Sequence, residues 1–317
     1  MRLSFIDPDK AKAEGEAALK ESLIASNSDN AGVTPPQPNR WANPLLRSLV
    51  VDESRASKTM VDMLTSYGTV TDPRLTLILS QSGAWVKGEA DAVQYRGVPN
   101  GLPVTDLSLP EYDNSHNSCI WGYMWGYDWN SAAKGSNVAK PNTDANFTPL
   151  GLMNYSEVCF LKAEAALRGW QGAGDAQANY EEGIRASFEE MRALAPEGSY
   201  STTDDNTYIT TGQVAWNNAD DFEIKLEKII TQKWIGIYPN SEEAWAEFRR
   251  TGYPKLNPVK QSLEPTINPA NNEFIKKLRY VDNELSNNKE YATDPTLNGG
   301  KGDGLSVRVW WDTARYK

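Results

Sequence analysis

The stretch NYSEVCFLKAEAALRGW at residues 154–170 decides the fold class. Asn154 and Glu157 have capping-box spacing, with Asn in place of the usual Ser or Thr, and this spacing marks the start of a helix. Glu164 and Arg168 stand four residues apart, where opposite charges stabilise a helix. The apolar side chains share another face at helical spacing: Tyr155, Val158, Cys159, Ala163, Ala166 and Leu167. The pattern predicts a helix over 154–168.

A second helix is predicted directly after a short turn. The residues from Gly169 to Gly174 favour a turn, and Asp175 is placed to cap a helix that ends before Pro196. Two antiparallel helices joined by a short Gly-rich turn are typical of a tetratricopeptide-repeat (TPR) hairpin. The strict TPR consensus is absent, so the pattern predicts the architecture and not a run of repeats. The apolar stripe of this helix contains Tyr180, Ile184, Phe188 and Met191.

Further helices are predicted on both sides of this hairpin. A third helix begins at Asp220, has Glu223 at capping-box spacing and stops at Pro239. Ser241 is predicted to cap a fourth helix, SEEAWAEFRRTG, with acids in its first turn and arginines in its last turn. Upstream, helices are predicted over 7–25 and 56–66, with a loop at 26–39. The predicted class is mainly α, with TPR-like hairpins, long irregular loops and little β structure, limited to short strands at 75–80 and in SVRVWW (306–311).

Composition excludes some classes of function. The 317 residues carry 42 acidic and 32 basic side chains, a net charge of −10, without a basic stripe, so we predict no nucleic-acid partner. No apolar run is long enough to span a membrane, and the first residues do not resemble a secretory signal. Cys119 and Cys159 are compatible with a disulfide, but no spacing requires one. The eleven Trp and fourteen Tyr exceed the seven Phe, which weakly favours an aromatic binding surface.

The segment WGYMWGYDWN (121–130) is the candidate binding site. Large aromatic rings occupy every odd position: Trp121, Tyr123, Trp125, Tyr127 and Trp129. Such alternation fits a half-buried strand that covers core, although Gly122 and Gly126 disfavour a strand. It also fits a platform on which sugar rings stack, with Asp128 and Asn130 binding hydroxyl groups. From these residues alone both interpretations stay open.

The catalytic motifs tested are absent or weak. His116 is the single histidine, so multi-histidine metal sites are excluded, and a Cys–His nucleophile system would depend on His116 and Cys119. A glycosidase needs two facing carboxylates, for which Asp113 and Asp128 are the natural candidates, although acidic loop residues are usually turn formers. A structural Ca²⁺ is chemically compatible with the loop Asp and Asn residues, but no spacing predicts it. We therefore predict no catalytic residue, no metal ligand and no cofactor.

Several segments together resemble the SusD/RagB family. They are 154–170, GDAQANYEEGIRASF (174–188), KIITQKWIGIYPNSEEAWAEFRRTGYPKL (228–256), the start MRLSFIDPDKAKAEGEAAL and RVWWD (308–312). The resemblance covers nearly the whole chain but only the later part of a family member. It implies one SusD-like domain fragment over 1–317, with a helical segment at 1–74, a loop-rich ligand-binding region at 75–153, and TPR-like helices and C-terminal loops at 154–317. The lipoprotein signal, the anchoring cysteine and the early TPR-like helices are expected to lie outside this sequence.

The resemblance implies a non-catalytic, surface-exposed protein of the outer membrane. Such proteins hold oligosaccharides, or in some members peptides, and pass them to a SusC-like TonB-dependent transporter; contact with the membrane is expected only through a lipid anchor that this chain does not carry. Because family ligands are gripped by aromatic residues before the helix at 154–168, the platform interpretation of 121–130 becomes the prediction. The alternatives are a glycoside hydrolase that uses loop carboxylates and a TPR-type peptide- or protein-interaction module.

Overall fold

The computed structural model describes residues 1–34, 55–120, 122, 148–195, 197–292, 294, 296–297, 300 and 302–316. This part of the chain is mostly helical, which confirms the predicted class. The helices are α1 (Pro8–Ala18), α2 (Lys58–Ser66), α3 (Leu75–Ile78), α4 (Gly83–Lys87), α5 (Tyr155–Leu167), α6 (Ala176–Ala193), α7 (Asp205–Thr210), α8 (Phe222–Gly236), α9 (Ser241–Thr251), α10 (Asp282–Asn287) and α11 (Lys289–Ala292), and the strands are β1 (Ala31–Val33) and β2 (Leu150–Met153).

The hairpin of α5 and α6 forms as the sequence predicts. The Asn154 side chain accepts a hydrogen bond from the backbone N–H of Glu157 at 2.8 Å, and Asp175 accepts one from Ala178 at 2.7 Å. Each bond satisfies an N–H group that the first turn of a helix otherwise leaves without a partner. The two helices then pack along their length, and α8 lies against both of them.

The core between these three helices is aromatic and aliphatic. Its largest fully buried side chains include Phe160 of α5 and Tyr180 of α6. The Tyr180 hydroxyl donates to the carbonyl oxygen of Val214 at 2.7 Å, so the one polar atom of this buried ring is satisfied. The buried members of this core are Phe160, Ala163, Tyr180, Ile184, Phe188, Tyr208, Ile209, Val214, Leu226, Ile229 and Ile230.

A buried set of ion pairs joins the hairpin to α8 and α9. Arg250 of α9 donates to the two carboxylate oxygens of Glu164 on α5 at 2.7 and 2.6 Å, and to Glu247 at 2.5 Å. Lys233 of α8 lies 3.2 Å from Glu157 and 2.9 Å from Glu243. We call this set the Arg250 cluster; its members are Arg2, Glu157, Glu164, Lys233, Glu243, Glu247 and Arg250.

The carboxylates at the centre of the Arg250 cluster are held in their charged form. Burial alone raises the pKa of Glu164 and Glu247, but the positive charge of Arg250 outweighs burial and lowers both pKa values. The side chains of Arg250 and Glu164 are 0% and 1% exposed. A charge removed from water in this way is tolerated only while its partner is present.

A second buried arginine connects the preceding segment to the helices. Arg74, just before α3, pairs with Asp72 at 2.7 Å and donates to Gln232 of α8 at 2.6 Å and to Ser187 of α6 at 3.0 Å. Its guanidinium also lies 5.2 Å from the centroid of the Phe188 ring, within the range of a cation–π contact. The chain around α3 is therefore fixed to the same helices that form the hairpin core.

The two predicted strands are wrong. Leu75–Ile78 forms the short helix α3, since the backbone N–H groups of Leu77 and Ile78 bond to the carbonyl of Arg74. A short apolar run cannot distinguish a buried helix from a strand. In 306–311 the chain makes turns, with Val307 N–H bonded to the Gly304 carbonyl. None of the named strands of the described residues pairs with this segment.

Several predicted helix ends are shifted. The first helix ends at Ala18 instead of 25, because the chain turns at Leu19, whose N–H bonds to the carbonyls of Gly15 and Ala17. The third helix is capped by Asp221 and not Asp220, which instead pairs with Lys228 at 2.6 Å. The fourth is capped by Asn240, so Ser241 is its first residue. Adjacent cap-forming residues compete at such boundaries, and sequence alone does not choose between them.

We expect Arg250→Met to lower the free energy of unfolding by about 3–5 kcal/mol, because Glu164 and Glu247 lose their buried partner. The matched control is Arg185→Met, which removes a half-exposed pair with Glu181 at 3.4 Å and should cost about 0.5 kcal/mol or less. Urea unfolding followed by circular dichroism measures both. Adding Glu164→Gln and Glu247→Gln to Arg250→Met should recover part of the lost stability. If Arg250→Met and Arg185→Met lose the same amount of stability, Arg250 does not have the stabilising role described here.

Candidate functional site

The predicted ligand residues lie outside the part of the chain that the structure describes. This holds for all seven: Trp121, Tyr123, Trp125, Tyr127, Asp128, Trp129 and Asn130. The structure does describe Gly122 and the residues that lead into and out of 123–147. Two described places join this segment to the scaffold, at Gly122 and at 148–154.

The entry to the segment is bonded to the chain around α3. Ser80 and Cys119 are paired, with the N–H of Ser80 donating to the Cys119 carbonyl at 3.0 Å and the N–H of Cys119 donating to the Ser80 hydroxyl at 3.0 Å. The N–H of Gly122 donates to the Ile78 carbonyl at 2.9 Å, and the Tyr238 hydroxyl donates to the Ile120 carbonyl at 3.1 Å. The chain thus reaches Gly122 in a fixed position against buried residues.

Gly122 has a steric role at this junction. A side chain added here would collide with the carbonyl oxygen of Leu77, because the two backbone segments approach too closely for a Cβ atom. The sequence interpretation treated this glycine only as evidence against a strand. Its observed role is to let the entry to the aromatic segment pack directly on α3.

The exit from the segment is a two-stranded antiparallel ribbon. Strand β2 pairs with β1 in a register that places Leu150 opposite Val33 and Met153 opposite Ala31. The next residue, Asn154, caps α5, and the N–H of Tyr155 donates to the Asn30 side chain at 2.7 Å. The exit is therefore tied to the hairpin, as the entry is tied to α3.

Asp113 is one of the two carboxylates considered for hydrolysis. Its side chain stabilises a local turn. Its Oδ1 accepts a hydrogen bond from the backbone N–H of His116 and lies 2.8 Å from the His116 Nδ1. Burial alone raises the pKa of Asp113, but the hydrogen bonds from His116 outweigh it and lower the pKa. A general acid of a glycosidase needs a raised pKa, so this environment is the opposite of the one required. Asp128 lies outside the described residues.

The cysteines do not support a nucleophile or a disulfide. Cys119 and Cys159 are both free thiols. Burial raises the pKa of Cys119 to about 11, which keeps it protonated, whereas a nucleophilic cysteine needs an accessible thiolate. Within the described ranges, no group of three or more His, Cys, Asp or Glu side chains is arranged to hold a metal ion, and no helix is long and apolar enough to cross a bilayer.

One exposed aromatic side chain was not singled out from the sequence. Trp85 of α4 is 45% exposed and lies in the loop-rich region before the aromatic segment. Ser82 accepts from the Trp85 N–H at 3.3 Å at one end of α4, and Gly88, at φ 71°, ends the helix in the left-handed conformation that glycine adopts readily. The pattern Ser-Gly-Ala-Trp-Val-Lys-Gly contains both cap signals, which together predict a single helical turn carrying this tryptophan.

Comparison with known proteins assigns the family. Residues 1–312 match the family model described as "SusD-like: Susd and RagB outer membrane lipoprotein". The chain belongs to the SusD-like family. The comparison with curated proteins gave no match.

Solved structures of SusD homologues share the fold. A chitin-binding SusD homologue from Flavobacterium johnsoniae superposes with a TM-score of 0.72 at 28% identity, covering 99% of this chain and 61% of that one. Homologues from Bacteroides vulgatus and Parabacteroides distasonis each give a TM-score of 0.74, at 27% and 26% identity, and cover 100% and 98% of this chain. They are covered to 61% and 63% of their own lengths, so this SusD-like chain spans less than two thirds of the relatives it matches.

We expect Gly122→Ala to destabilise the protein by about 1–3 kcal/mol, since the new methyl group overlaps the Leu77 carbonyl. The control is Gly151→Ala in β2, where a Cβ atom meets nothing within 4 Å. Thermal unfolding should separate the two variants. Hydrogen exchange in 118–122 should accelerate in Gly122→Ala alone; unchanged exchange there would contradict the close approach.

We expect the protein to become less stable as pH rises, because of the carboxyl group of Glu190 on α6. This carboxyl group is hydrogen-bonded to the Asn154 side chain. Burial raises the pKa of this carboxyl from 4.5 to about 7, whereas the unfolded chain ionises near the ordinary value. Between these values the folded protein retains a proton that the unfolded chain releases, so the free energy of unfolding decreases as pH rises, by on the order of 2–3 kcal/mol in total. Glu190→Gln should remove this decrease, and Glu189→Gln on the exposed side should not. Melting temperatures of the wild type and both variants, measured from pH 4 to 8, test this prediction. If the melting temperature of Glu190→Gln changes with pH in the same way as that of the wild type, the prediction is wrong.

Proposed function

We propose that this protein is a non-catalytic glycan-binding component of an outer-membrane nutrient uptake system. Membership of the SusD-like family supports the proposal, as does the likeness to a structure described as a chitin-binding SusD homologue. Its role is to hold oligosaccharides at the cell surface and pass them to a SusC-like TonB-dependent transporter. The family description, "outer membrane lipoprotein", supports attachment through a lipid anchor and exposure on the outer membrane as parts of this proposal.

The proposed ligand site is the aromatic segment 121–130. The rings of Trp121, Tyr123, Trp125, Tyr127 and Trp129 offer stacking area for sugar faces, and Asp128 and Asn130 bind the hydroxyl groups. The observation that supports this site is the attachment of both flanks to the scaffold, through Gly122 to the chain around α3 and through β2 and Asn154 to the hairpin. A segment held at both ends loses less freedom on binding than a free one, which favours capture by a small number of contacts.

A binding function fits the chemistry of the described residues better than hydrolysis. Asp113 accepts hydrogen bonds from His116 and has a lowered pKa, so it is unsuited to donate a proton to a leaving group. A capture protein does not need paired carboxylates of different pKa. It needs contact area and a polar rim, with an affinity modest enough for release to the transporter.

The proposal is tested with the double variant Trp125→Ala/Trp129→Ala. We expect binding to fall about tenfold or more, because each ring removed takes away stacking area at the centre of the contact. Affinity gel electrophoresis and calorimetry with a glycan panel that includes chitin oligosaccharides measure the loss. The control is Trp310→Ala, which removes an equally large ring, 72% exposed, from the C-terminal loops.

Other outcomes identify the alternatives. Release of products from any glycan in the panel would overturn the binding function in favour of a glycoside hydrolase. Unchanged glycan binding by the double variant, together with weaker association with the transporter, would instead indicate a protein-interaction module.

A further inference from the structure

The segment IKKLRYV (275–281) has the reverse of the usual polarity of a surface loop. Its two lysines, Lys276 and Lys277, are 7% and 9% exposed, whereas Leu278 and Val281 are 65% and 69% exposed. The Lys277 ammonium donates to the Leu278 carbonyl at 2.9 Å, so its charge is used within the protein. Lysine usually keeps its charged group in water and is rarely buried. The side chains that this segment offers to its surroundings are therefore largely apolar.

A second loop adds another exposed apolar side chain. Leu263 is 99% exposed, and the next residue, Glu264, forms an ion pair with Arg279. Arg279 lies between Leu278 and Val281 in the sequence, so the ion pair joins the two loops beside these side chains. We call Leu263, Leu278 and Val281 the three apolar tips.

The loops that carry the apolar tips are bonded to the rest of the protein. The Lys276 N–H donates to the Leu305 carbonyl at 2.8 Å, and the Lys276 carbonyl accepts from Arg249 of α9 at 3.2 Å. Upstream of Leu263, the N–H of Lys260 donates to the Asn100 carbonyl at 2.8 Å. Side chains presented on a fixed backbone lose less conformational freedom on binding than those of a free segment.

The charge of this region favours an anionic partner. Residues 255–281 include five basic and two acidic side chains, whereas the whole chain has 32 basic and 42 acidic ones. Lys260 and Arg279 are exposed, and the region ends at Asp282, the first residue of α10. An anionic surface repels the protein as a whole but attracts these two cations, which favours one orientation of the protein.

We propose that the three apolar tips, with Lys260 and Arg279, bind the protein directly to a lipid surface that carries phosphate groups. This contact is in addition to the lipid anchor, and the inference rests on the outer-membrane location in the proposed function. The tips enter the boundary between headgroups and acyl chains, and the two cations bind phosphate oxygens. A lipid surface covers side chains that protrude separately, whereas a protein interface needs a closely packed centre.

The test measures sedimentation of the whole chain with lipid vesicles. One set is made of equal parts phosphatidylcholine and anionic phosphatidylglycerol, and the other of phosphatidylcholine alone. We expect binding to the anionic vesicles to be about tenfold stronger and to weaken as salt is added. Replacing the three apolar tips by serine should weaken binding to the anionic vesicles about tenfold. The matched control, Val33→Ser/Val104→Ser/Leu152→Ser, removes three apolar side chains that are also exposed and should bind like the wild type.

The charges are tested separately. Lys260→Gln and Arg279→Gln should each weaken binding to the anionic vesicles about fivefold, because each removes one attraction to the phosphates. Lys12→Gln, which removes an exposed charge from α1, is the control and should have no effect. Equal melting temperatures establish that the variants fold alike.

The outcomes separate this inference from the proposed function. If the wild type binds glycans but prefers neither set of vesicles, the lipid contact is refuted and the glycan-binding function stands. Equal vesicle binding by the serine variant of the apolar tips and its control would also refute the contact. If the wild type binds no glycan but binds the anionic vesicles through the apolar tips, the contact stands and the glycan-binding function is wrong. Crosslinking of the apolar tips to the transporter, without vesicle binding, would identify a protein interface and refute the lipid contact.

Discussion

The Arg250 cluster is the constraint on which the described scaffold depends. Arg250 bridges Glu164 of α5 and Glu247 of α9 in surroundings that exclude water. Buried charges are acceptable only when every partner is in place, so the cluster permits very few relative positions of the hairpin, α8 and α9. Apolar packing tolerates small shifts of one helix against another, whereas a bidentate arginine–carboxylate pair does not. The cluster thus makes the arrangement of these helices specific, while the aromatic core supplies most of the favourable burial.

The helical part of the fold could be predicted because its signals are local. The caps at Asn154 and Asp175 and the apolar stripes of α5, α6 and α8 lie within a few residues of the positions they determine. The Arg250 cluster could not be predicted: the sequence pairs Glu164 only with Arg168 on the same helix, a pair that does form. Its second partner, Arg250, lies 86 residues further along the chain. The same limit applies to α3, whose identity depends on how Arg74 packs against α6 and α8.

The candidate site could be predicted from sequence only in part. The density of Trp, Tyr, Asp and Asn marks 121–130 as unusual, and this assignment stays a prediction, as does the division of the chain at residues 75 and 154. The attachment of the site to the scaffold could not be predicted from the sequence. The close approach of Gly122 to Leu77 is between backbone atoms, and the glycine is the only residue in the sequence that indicates it. Trp85 was not predicted for a related reason: whether a single tryptophan is exposed depends on how the chain packs around Ala84, and the neighbouring residues in the sequence do not determine that packing.

The attachment of positions 122 and 148–154 to separate parts of one scaffold has a consequence for how such proteins diversify. Once the two ends are fixed, the closure free energy of the chain between them depends only logarithmically on its length, about 0.6 kcal/mol per doubling. A change in the length of the chain between these ends therefore changes this closure term only slightly. Under the proposed function, exchange of this segment would change the ligand specificity, while the ion pairs and the aromatic core of the described residues stabilise the scaffold. A protein engineer could use the same boundaries to graft a recognition segment for a different ligand.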